Sequence, residues 1–589
     1  MEIQVVVARQ SEVYPSAVRQ QLERILAHSL FNRSERMGRF LRLAVERTLA
    51  GKAGELKEYL IGVEVFDRKA TYDPRVDPIV RVEARRLRSK LKAYYESDGR
   101  ADAVTIQFVA GSYAPQIQRR AEAPPARVAS GCNTIAVLPF ANLSPTAEHE
   151  YFSDGLTEEL IHALTAVPGM RVVAWNSAAR LRERQQDLAA IRQQLHAATA
   201  LTGSVRVAGL GLRVRAQLID TESGVYLWSE TFDRTMQDVF AIQEEIARSI
   251  VRTLRVRLGS VEETPVGRSH TTLTSYDWYL KGRYAWNRRS PESLAEAIRH
   301  FEAAIAADDR SALPHAGLAD SYSLLVDYGL MPPDEGMPRA KAAANRALEL
   351  DPGLAEAYTS LAFVCSHYDR DWQEAEALYR KAVELTPSYA TAHHWLGGDC
   401  YLLLGRFDEA LAEIETALQL DPLSSILRDG LGFTLMTMGR HEEAVQVHRE
   451  IVETDPTFSK AYGSLGRAYV QQGNYAEGIA VLEKGRSLAG GIPSILGVLG
   501  QAYGLVGERE RARELLASLR ERGQREFVPC TPIALIHLGL GEKEQALDWL
   551  EKGYARQESA LTAMGVHPAY DALRGEPRFE TLLERLGLR

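Results

Sequence analysis

Between residues 77 and 95 the apolar positions recur with helical spacing. Val80, Ala84, Leu87, Leu91 and Tyr94 fall on one stripe and Arg81, Arg85, Arg88 and Lys92 on another, because residues three and four apart share a helix face. The spacing predicts a helix with one core side and one positive side. Past a short polar loop, Val104, Ile106 and Phe108 alternate with Thr105 and Gln107, and the chain turns near Gly111; this is the period-two pattern of a short strand in a hairpin. Upstream, two amphipathic helices are predicted over 16–28, burying Val18, Leu22, Ile25 and Leu26, and over 33–50, burying Met37, Phe40, Leu41, Ala44 and Val45. Asn32 with Glu35 has the form of a capping box, and Gly51 stops the second helix. Together these elements close one small core over residues 13–118.

Residues 119–132 are rich in proline, alanine and other small residues without a period and read as a linker. From Thr134 the pattern mixes strands and helices. TIAVLPF is a buried-strand run, 153–165 a helix, MRVVAW a strand and 187–197 a helix. Strands over 200–209 and 212–220 pair through a turn at Gly209 to Gly211, 226–233 adds another, and a helix over 238–257 closes the domain.

After a polar connector, 261–274, the pattern becomes periodic. Leu431-Gly432, Leu465-Gly466, Leu499-Gly500 and Ile533-Ala534 recur every 34 residues, with Leu396-Gly397 one residue out of step, and Gly405, Gly439, Gly473, Gly507 and Gly541 keep the same period. A period of that length means stacked helical hairpins. The small residue after Leu lets two helices approach, the second Gly breaks the chain between them, and Ala410, Ala444, Ala512 and Ala546 supply the small contact on the second helix. About eight repeats are expected, the earlier ones looser, with a helical cap from Pro568.

Composition adds one asymmetry to this picture. The chain of 589 residues carries a net charge of −8, yet residues 1–120 hold 22 Lys+Arg against 15 Asp+Glu. A basic head on an acidic body fits contact with nucleic acid through the N-terminal part alone. Within 81–92 six cations, Arg81, Arg85, Arg86, Arg88, Lys90 and Lys92, face the single acid Glu83, a charge suited to a phosphate-lined major groove. The competing reading is an ordinary solvated face.

The run Val82 to Leu91, followed by Ile106 to Val109 and Gly111-Ser112-Tyr113, resembles the recognition helix and wing of the OmpR/PhoB winged-helix family. That resemblance implies a helix-turn-helix whose first helix is 55–66 and whose loop is 67–77, with DNA contacts from Arg81, Arg85, Arg86, Arg88, Lys90, Lys92, Gly111, Ser112 and Tyr113. The chain departs from the family at Phe108 and Ala110, in a wing one residue shorter, and in lacking a leading sheet or receiver domain. Residues 133–260 are similar to TolB-N-terminal-like, FlgO-like domains on IAVLPFANLS, EYFSDGLTEELIHAL, TGSVR, LRVRAQLID and YLWSETFDR, which implies a non-catalytic input or assembly module. Residues 272–589 are identified as members of the tetratricopeptide family, which implies a superhelical groove for a protein segment.

No nucleotide-binding or catalytic motif stands out. Asp154 and Glu158-Glu159 are acids of a helix's first turns, which the helix dipole favours. His393 and His394 are adjacent on a helix and point about 100° apart, a poor metal pair. Cys132, Cys365, Cys400 and Cys530 have no C-x-x-C spacing, and no window approaches the ~20 apolar residues of a membrane span.

The expected fold is multidomain: an α+β winged helix (1–118), a linker (119–132), an α/β sandwich (133–260) and an all-α tetratricopeptide solenoid (272–589). The expected function is a cytoplasmic bacterial DNA-binding regulator of transcription, not an enzyme, without cofactor or metal. Its expected partners are double-stranded DNA and a protein or peptide in the repeat groove, with no membrane and with a homodimer left open. The arrangement resembles CadC- and HilA-type regulators without a membrane segment. The rival reading is a scaffold or signalling adaptor whose winged-helix domain makes protein contacts.

Overall fold

The computed structural model describes residues 15–588 except 29, 32–33, 50–51, 70–71, 75–76, 97–98, 100–101, 103, 109–111, 120–133, 145–149, 166, 168–169, 210, 236–237, 259–271 and 489–490. The chain folds as two compact units, 1–129 and 130–589.

In the first unit the helices are α1 (Pro15–Ala27), α2 (Glu35–Leu49), α3 (Glu58–Glu64) and α4 (Ile79–Glu96), followed by strands β1 (Val104–Gln107) and β2 (Gln116–Arg119). The strands pair antiparallel with Ile106 opposite Ile117. The stripes read from the sequence are the core: Val18, Leu22, Ile25, Phe40, Leu41, Val45, Val80, Leu87 and Leu91 are all buried, and Leu26 packs partly buried beside them. Asp102, 6% exposed, ties the elements together by accepting from Gln21, from Arg24 at 2.7 Å and from the Tyr94 hydroxyl at 2.6 Å. Despite burial, those donors hold its carboxyl below the usual range. The helix expected over 55–66 is shorter, because Ala53–Glu55 forms a separate 3₁₀ turn before α3. The proposed cap at Asn32, the stop at Gly51 and the linker from 120 onward lie outside the described residues.

The second unit begins with β3 (Thr134–Val137), β4 (Ala141–Asn142), α5 (Glu150–Thr165), β5 (Arg171–Val172), α6 (Trp175–Arg180), α7 (Leu188–Gln194), β6 (Thr199–Ala208), β7 (Gly211–Asp220), β8 (Tyr226–Thr235) and α8 (Val239–Leu258). They form a mixed six-stranded sheet in the order β5-β3-β6-β7-β8, with β4 also on β6. Strand β3 runs parallel to β5 and β6, while β6, β7 and β8 form an antiparallel meander. Leu156, Leu160, Ile246 and Ile250 of α5 and α8 bury one face, and α6 and α7 cover the β3 end of the other through Ala178 and Ile191. The strand expected over 170–175 is cut to two residues because Trp175 opens α6, a helix too short to leave a period in the sequence.

Eight helix pairs follow: α9 (Leu273–Asn287) with α10 (Pro291–Ala307), α11 (Ala312–Asp327) with α12 (Pro333–Leu350), α13 (Ala355–Val364) with α14 (Trp372–Leu385), and α15 (Ala390–Leu396) with α16 (Phe407–Leu420). The remaining pairs are α17 (Ser425–Thr437) with α18 (His441–Thr454), α19 (Ser459–Gln471) with α20 (Tyr475–Leu488), α21 (Pro493–Leu505) with α22 (Arg509–Arg522), and α23 (Cys530–Gly539) with α24 (Lys543–Ala555). Gly405, Gly439, Gly473, Gly507 and Gly541 sit within the pairs at φ from +73° to +86°, and Gly575 extends the series at +84°. Only glycine takes that conformation without strain, so the 34-residue period is a period of left-handed turns. The out-of-step repeat has a physical cause. Gly397–Tyr401 is a π-helical turn, as is Cys365–Asp369, and each absorbs one additional residue without shifting the next pair.

The chain ends in two 3₁₀ segments, Ser559–Gly565 and Pro568–Leu573, and α25 (Pro577–Arg585). This end turns back on the array: Trp372 Nε1 donates to the Leu586 carbonyl at 2.8 Å, Arg370 lies 4.3 Å over the Tyr554 ring, and Phe433 meets the His567 ring at 5.7 Å.

Candidate nucleic-acid interface and the sheet–repeat seam

The loop before α4 is pinned by its own acid. Asp77 accepts from the Ile79 N–H at 3.1 Å, capping the helix, and pairs with Arg68 at 2.9 Å. With Val80, Ala84, Leu87, Leu91 and Tyr94 buried, Arg81, Arg85, Arg86 and Ser89 are left on the exposed side, with Val82 42% exposed among them.

The six expected cations do not stand alike. Arg81 pairs with Glu58 at 3.4 Å and donates to the Pro74 carbonyl. Arg86 pairs with Glu83 at 2.7 Å. Lys90 is turned inward, donating to the Leu30 carbonyl at 2.6 Å with Phe31 beneath it. Arg85 is exposed and has no acidic partner among the described residues, and the half-buried Arg88 keeps a buried Nε without an acceptor. The side chain of Lys92, and Gly111 altogether, lie outside the described residues. Ser112 Oγ bonds the backbone of Ala114. Tyr113 is a strut between the hairpin and α3: its hydroxyl donates to Glu58 Oε1 at 2.5 Å, and burial with that carboxylate pushes the phenol well above its usual range. Sequence spacing put the six cations on one helix, and all six fall within α4. It had no means of showing that Arg81, Arg86 and Lys90 have protein partners.

In the second unit the sheet domain and the repeats share one apolar core running from Ile135 to Ala410, and α5 and α6 meet the repeats through polar groups. Gly155 has no side chain because Leu280 of α9 occupies the space, 2.6 Å from where a Cβ would sit. Tyr151 donates to Asp277 at 2.5 Å, Arg283 donates to Glu158 at 2.9 and 2.5 Å, and His162 approaches Glu356 at 3.2 Å. Further along, Asp421, 2% exposed, accepts from the Ser177 N–H at 2.9 Å and from Asn176 at 3.1 Å, and Arg180 reaches Ser425 and Asp455. The acids Asp154 and Glu158 are therefore structural, Asp154 pairing with Arg182 at 2.6 Å. Helix α5 begins at Glu150, so Asp154 and Glu158 lie beyond its first turn, where the dipole effect has fallen off. The seam itself was not legible from sequence, since its partners are 125 to 275 residues apart.

His393 and His394 diverge as helical geometry requires: His393 is bound to Glu413 and the Pro387 carbonyl, and His394 faces Gly430. Among the described residues no group of three or more His, Cys, Asp or Glu is placed to hold a metal, and no helix is long and apolar enough to cross a membrane.

Comparison with known proteins fits this division. Residues 130–249 match the second domain of HilA/YgeH-like transcriptional regulators, and residues 366–428 and 435–491 match tetratricopeptide repeats. A putative adenylate cyclase 3 of Rhizobium meliloti (strain 1021) is 35% identical over 262 residues, 44% of this chain and 43% of that protein. The transcriptional regulator HilA of Salmonella typhimurium is 23% identical over 295 residues, 49% of this chain and 51% of that protein. The chain thus spans about half the length of these curated relatives. Among solved structures, the tetratricopeptide protein YrrB aligns with 35% of this chain and 97% of its own at 22% identity and a TM-score of 0.24. The chain carries a HilA/YgeH-like regulator domain followed by tetratricopeptide repeats.

Proposed function

We propose that the protein is a cytoplasmic, non-catalytic regulator of transcription that binds double-stranded DNA through its first unit, folded as a winged helix. In this reading α4 enters the major groove, Arg85, Arg86 and Arg88 contact phosphates and base edges, and the β1–β2 hairpin touches the backbone as the wing. The TolB/FlgO-like sheet domain serves as an assembly module, and the repeats take a protein segment on surface left free by the sheet domain. The observation that carries the reading is the exposed cationic side of α4, with Arg85 lacking an acidic partner among the described residues, on a helix whose opposite stripe is core. The regulator domain matched at 130–249 supports it.

The rival, an adaptor whose first unit binds protein, draws on one observation: Arg81, Arg86, Lys90 and Tyr113 already have partners within the unit. Salt separates the two readings. Anisotropy of the full chain on DNA from its own upstream region is expected to show binding that weakens steeply with salt. The Arg85→Ala/Arg88→Ala variant should bind more weakly, with a log–log slope shallower by about 1.8, roughly 0.9 for each lost phosphate contact. Binding without salt dependence, or an unchanged slope in the variant, favours the adaptor.

A further inference from the structure

Strand β8 is an open edge of the six-stranded sheet: β7 flanks it on one side, and no described strand flanks it on the other. Which of its backbone groups are free follows from the hairpin before it. Ala208 and Gly211 close the two-residue turn between β6 and β7 as a hydrogen-bonded pair, so Arg213 and Arg215 bond back to β6, and Leu212, Val214 and Ala216 bond to β8. Their partners are Arg234, Phe232 and Glu230. The residues between, Ser229, Thr231, Asp233 and Thr235, therefore turn their N–H and C=O groups outward. One end of that row is closed, since the Thr235 N–H donates to Asp238 at 3.0 Å. The N–H groups of Ser229, Thr231 and Asp233 have no acceptor among the described residues. Ser229, Glu230, Thr231, Asp233 and Arg234 are all exposed.

We propose that β8 pairs antiparallel with β8 of a second copy of this chain, about a two-fold axis at Thr231, and joins two sheets edge to edge. Edge strands are commonly closed to such pairing by proline, by a bulge or by charges of one sign. Residues 228–235 contain no proline, the register shift lies before them at Leu218/Ile219 on β7, and their charges are of both signs. Those charges complement themselves. With Thr231 opposite its own copy, Ser229 lies opposite the partner's Asp233, and Arg234 opposite the partner's Trp228 and diagonal to the partner's Glu230. Glu230 has no ion pair among the described residues, and Trp228 is only partly buried against the core, so an arginine gains both a carboxylate and an aromatic face there. The alternatives are worse. Opposed residues must share a sheet face, so the register moves only in steps of two. One step sets Glu230 opposite itself, a like-charge pair. The other draws in Thr235, whose N–H is already bound. The chosen register leaves the outward donors of Ser229, Thr231 and Asp233 all paired, in both copies. The inference does not depend on the DNA reading.

The test is sedimentation equilibrium of the full chain across the micromolar range, with two variants. The natural chain is expected to form a dimer that dissociates on dilution. Thr231→Pro removes a donor that points away from β7, so the sheet keeps its own ladder. It should weaken the dimer at least about tenfold through two lost hydrogen bonds, with an unchanged far-ultraviolet circular dichroism spectrum. In Thr231→Cys the two thiols meet on the axis, where paired Cα atoms about 5.5 Å apart suit a disulfide. Mild oxidation should therefore link that variant into dimers, and link Glu230→Cys far more slowly. A natural chain that stays monomeric overturns the proposal and leaves the edge to a strand of another protein. A dimer that Thr231→Pro does not weaken, or cross-linking no faster at 231 than at 230, overturns it as well.

Discussion

Replacing Arg283 by alanine is expected to destabilise the second unit by about 3 kcal/mol or more, the usual cost of stranding one member of a buried ion pair. Arg283 and Glu158 are only 18% and 17% exposed, and the guanidinium also lies 4.5 Å over the Trp286 ring. The substitution therefore leaves a carboxylate enclosed without its cation and strips one face of an indole. Because Glu158 belongs to α5 and Arg283 to α9, the loss falls on the seam that joins sheet to repeats. Removing both charges is a different matter. The double substitution Glu158→Leu/Arg283→Met should cost less than Arg283→Ala alone, since no unpaired charge remains. Urea unfolding followed by Trp fluorescence and circular dichroism measures both. A double variant as unstable as the single one would mean that the pair acts through packing rather than charge.

The second large effect is one of pH and resides in His567. This imidazole is 7% exposed, packs between Phe433 and Tyr570, and accepts the Ala569 N–H at 3.0 Å. Burial, reinforced by the Arg467 charge, lowers its pKa to about 3. The sign follows from which state takes up the proton. In the unfolded chain His567 titrates near its ordinary value of about 6.5, while the folded protein keeps it neutral until about pH 3. Between those limits the unfolded state binds the additional proton, so the contribution is fully present above about pH 6.5 and is lost as pH falls. The loss runs at about 1.4 kcal/mol per pH unit. Other groups titrate in the same window, so the expectation is a difference between proteins. Relative to His567→Gln, whose amide oxygen can accept from Ala569 but does not titrate, the natural chain should lose about 2.3 kcal/mol between pH 6.5 and 4.5. Parallel stability–pH curves for the two proteins would contradict it.

These two effects also mark where the sequence is a sufficient guide and where it is not. The repeats were legible because their geometry is local: a glycine at positive φ every 34 residues and a small residue on the second helix are demands of each hairpin by itself. Even the repeat that slips by one residue was visible as a slip. Its resolution as a π-helical turn needed the backbone. The core stripes of α2 and α4 were likewise fixed by period. Arg283 and Glu158, by contrast, read as ordinary charges on two helices 125 residues apart, and nothing in either helix names the other. Helix α6 went unseen for the same reason: its six residues are held by Asp421 and Ser425, contacts that no window of local sequence contains. The same limit applied to the cations of α4, where spacing gave the face and only the fold showed that Arg85 is exposed while Lys90 faces Leu30.

The central claim, that α4 and the hairpin are the DNA-contacting surface, is tested most directly by amide hydrogen exchange of the full chain with and without DNA from its own upstream region. The account predicts slower exchange over 79–96 and 104–119 in the complex, with the repeats and the sheet domain unchanged. Protection that falls on the repeats and spares α4, or none at any salt concentration where DNA is bound, would contradict it.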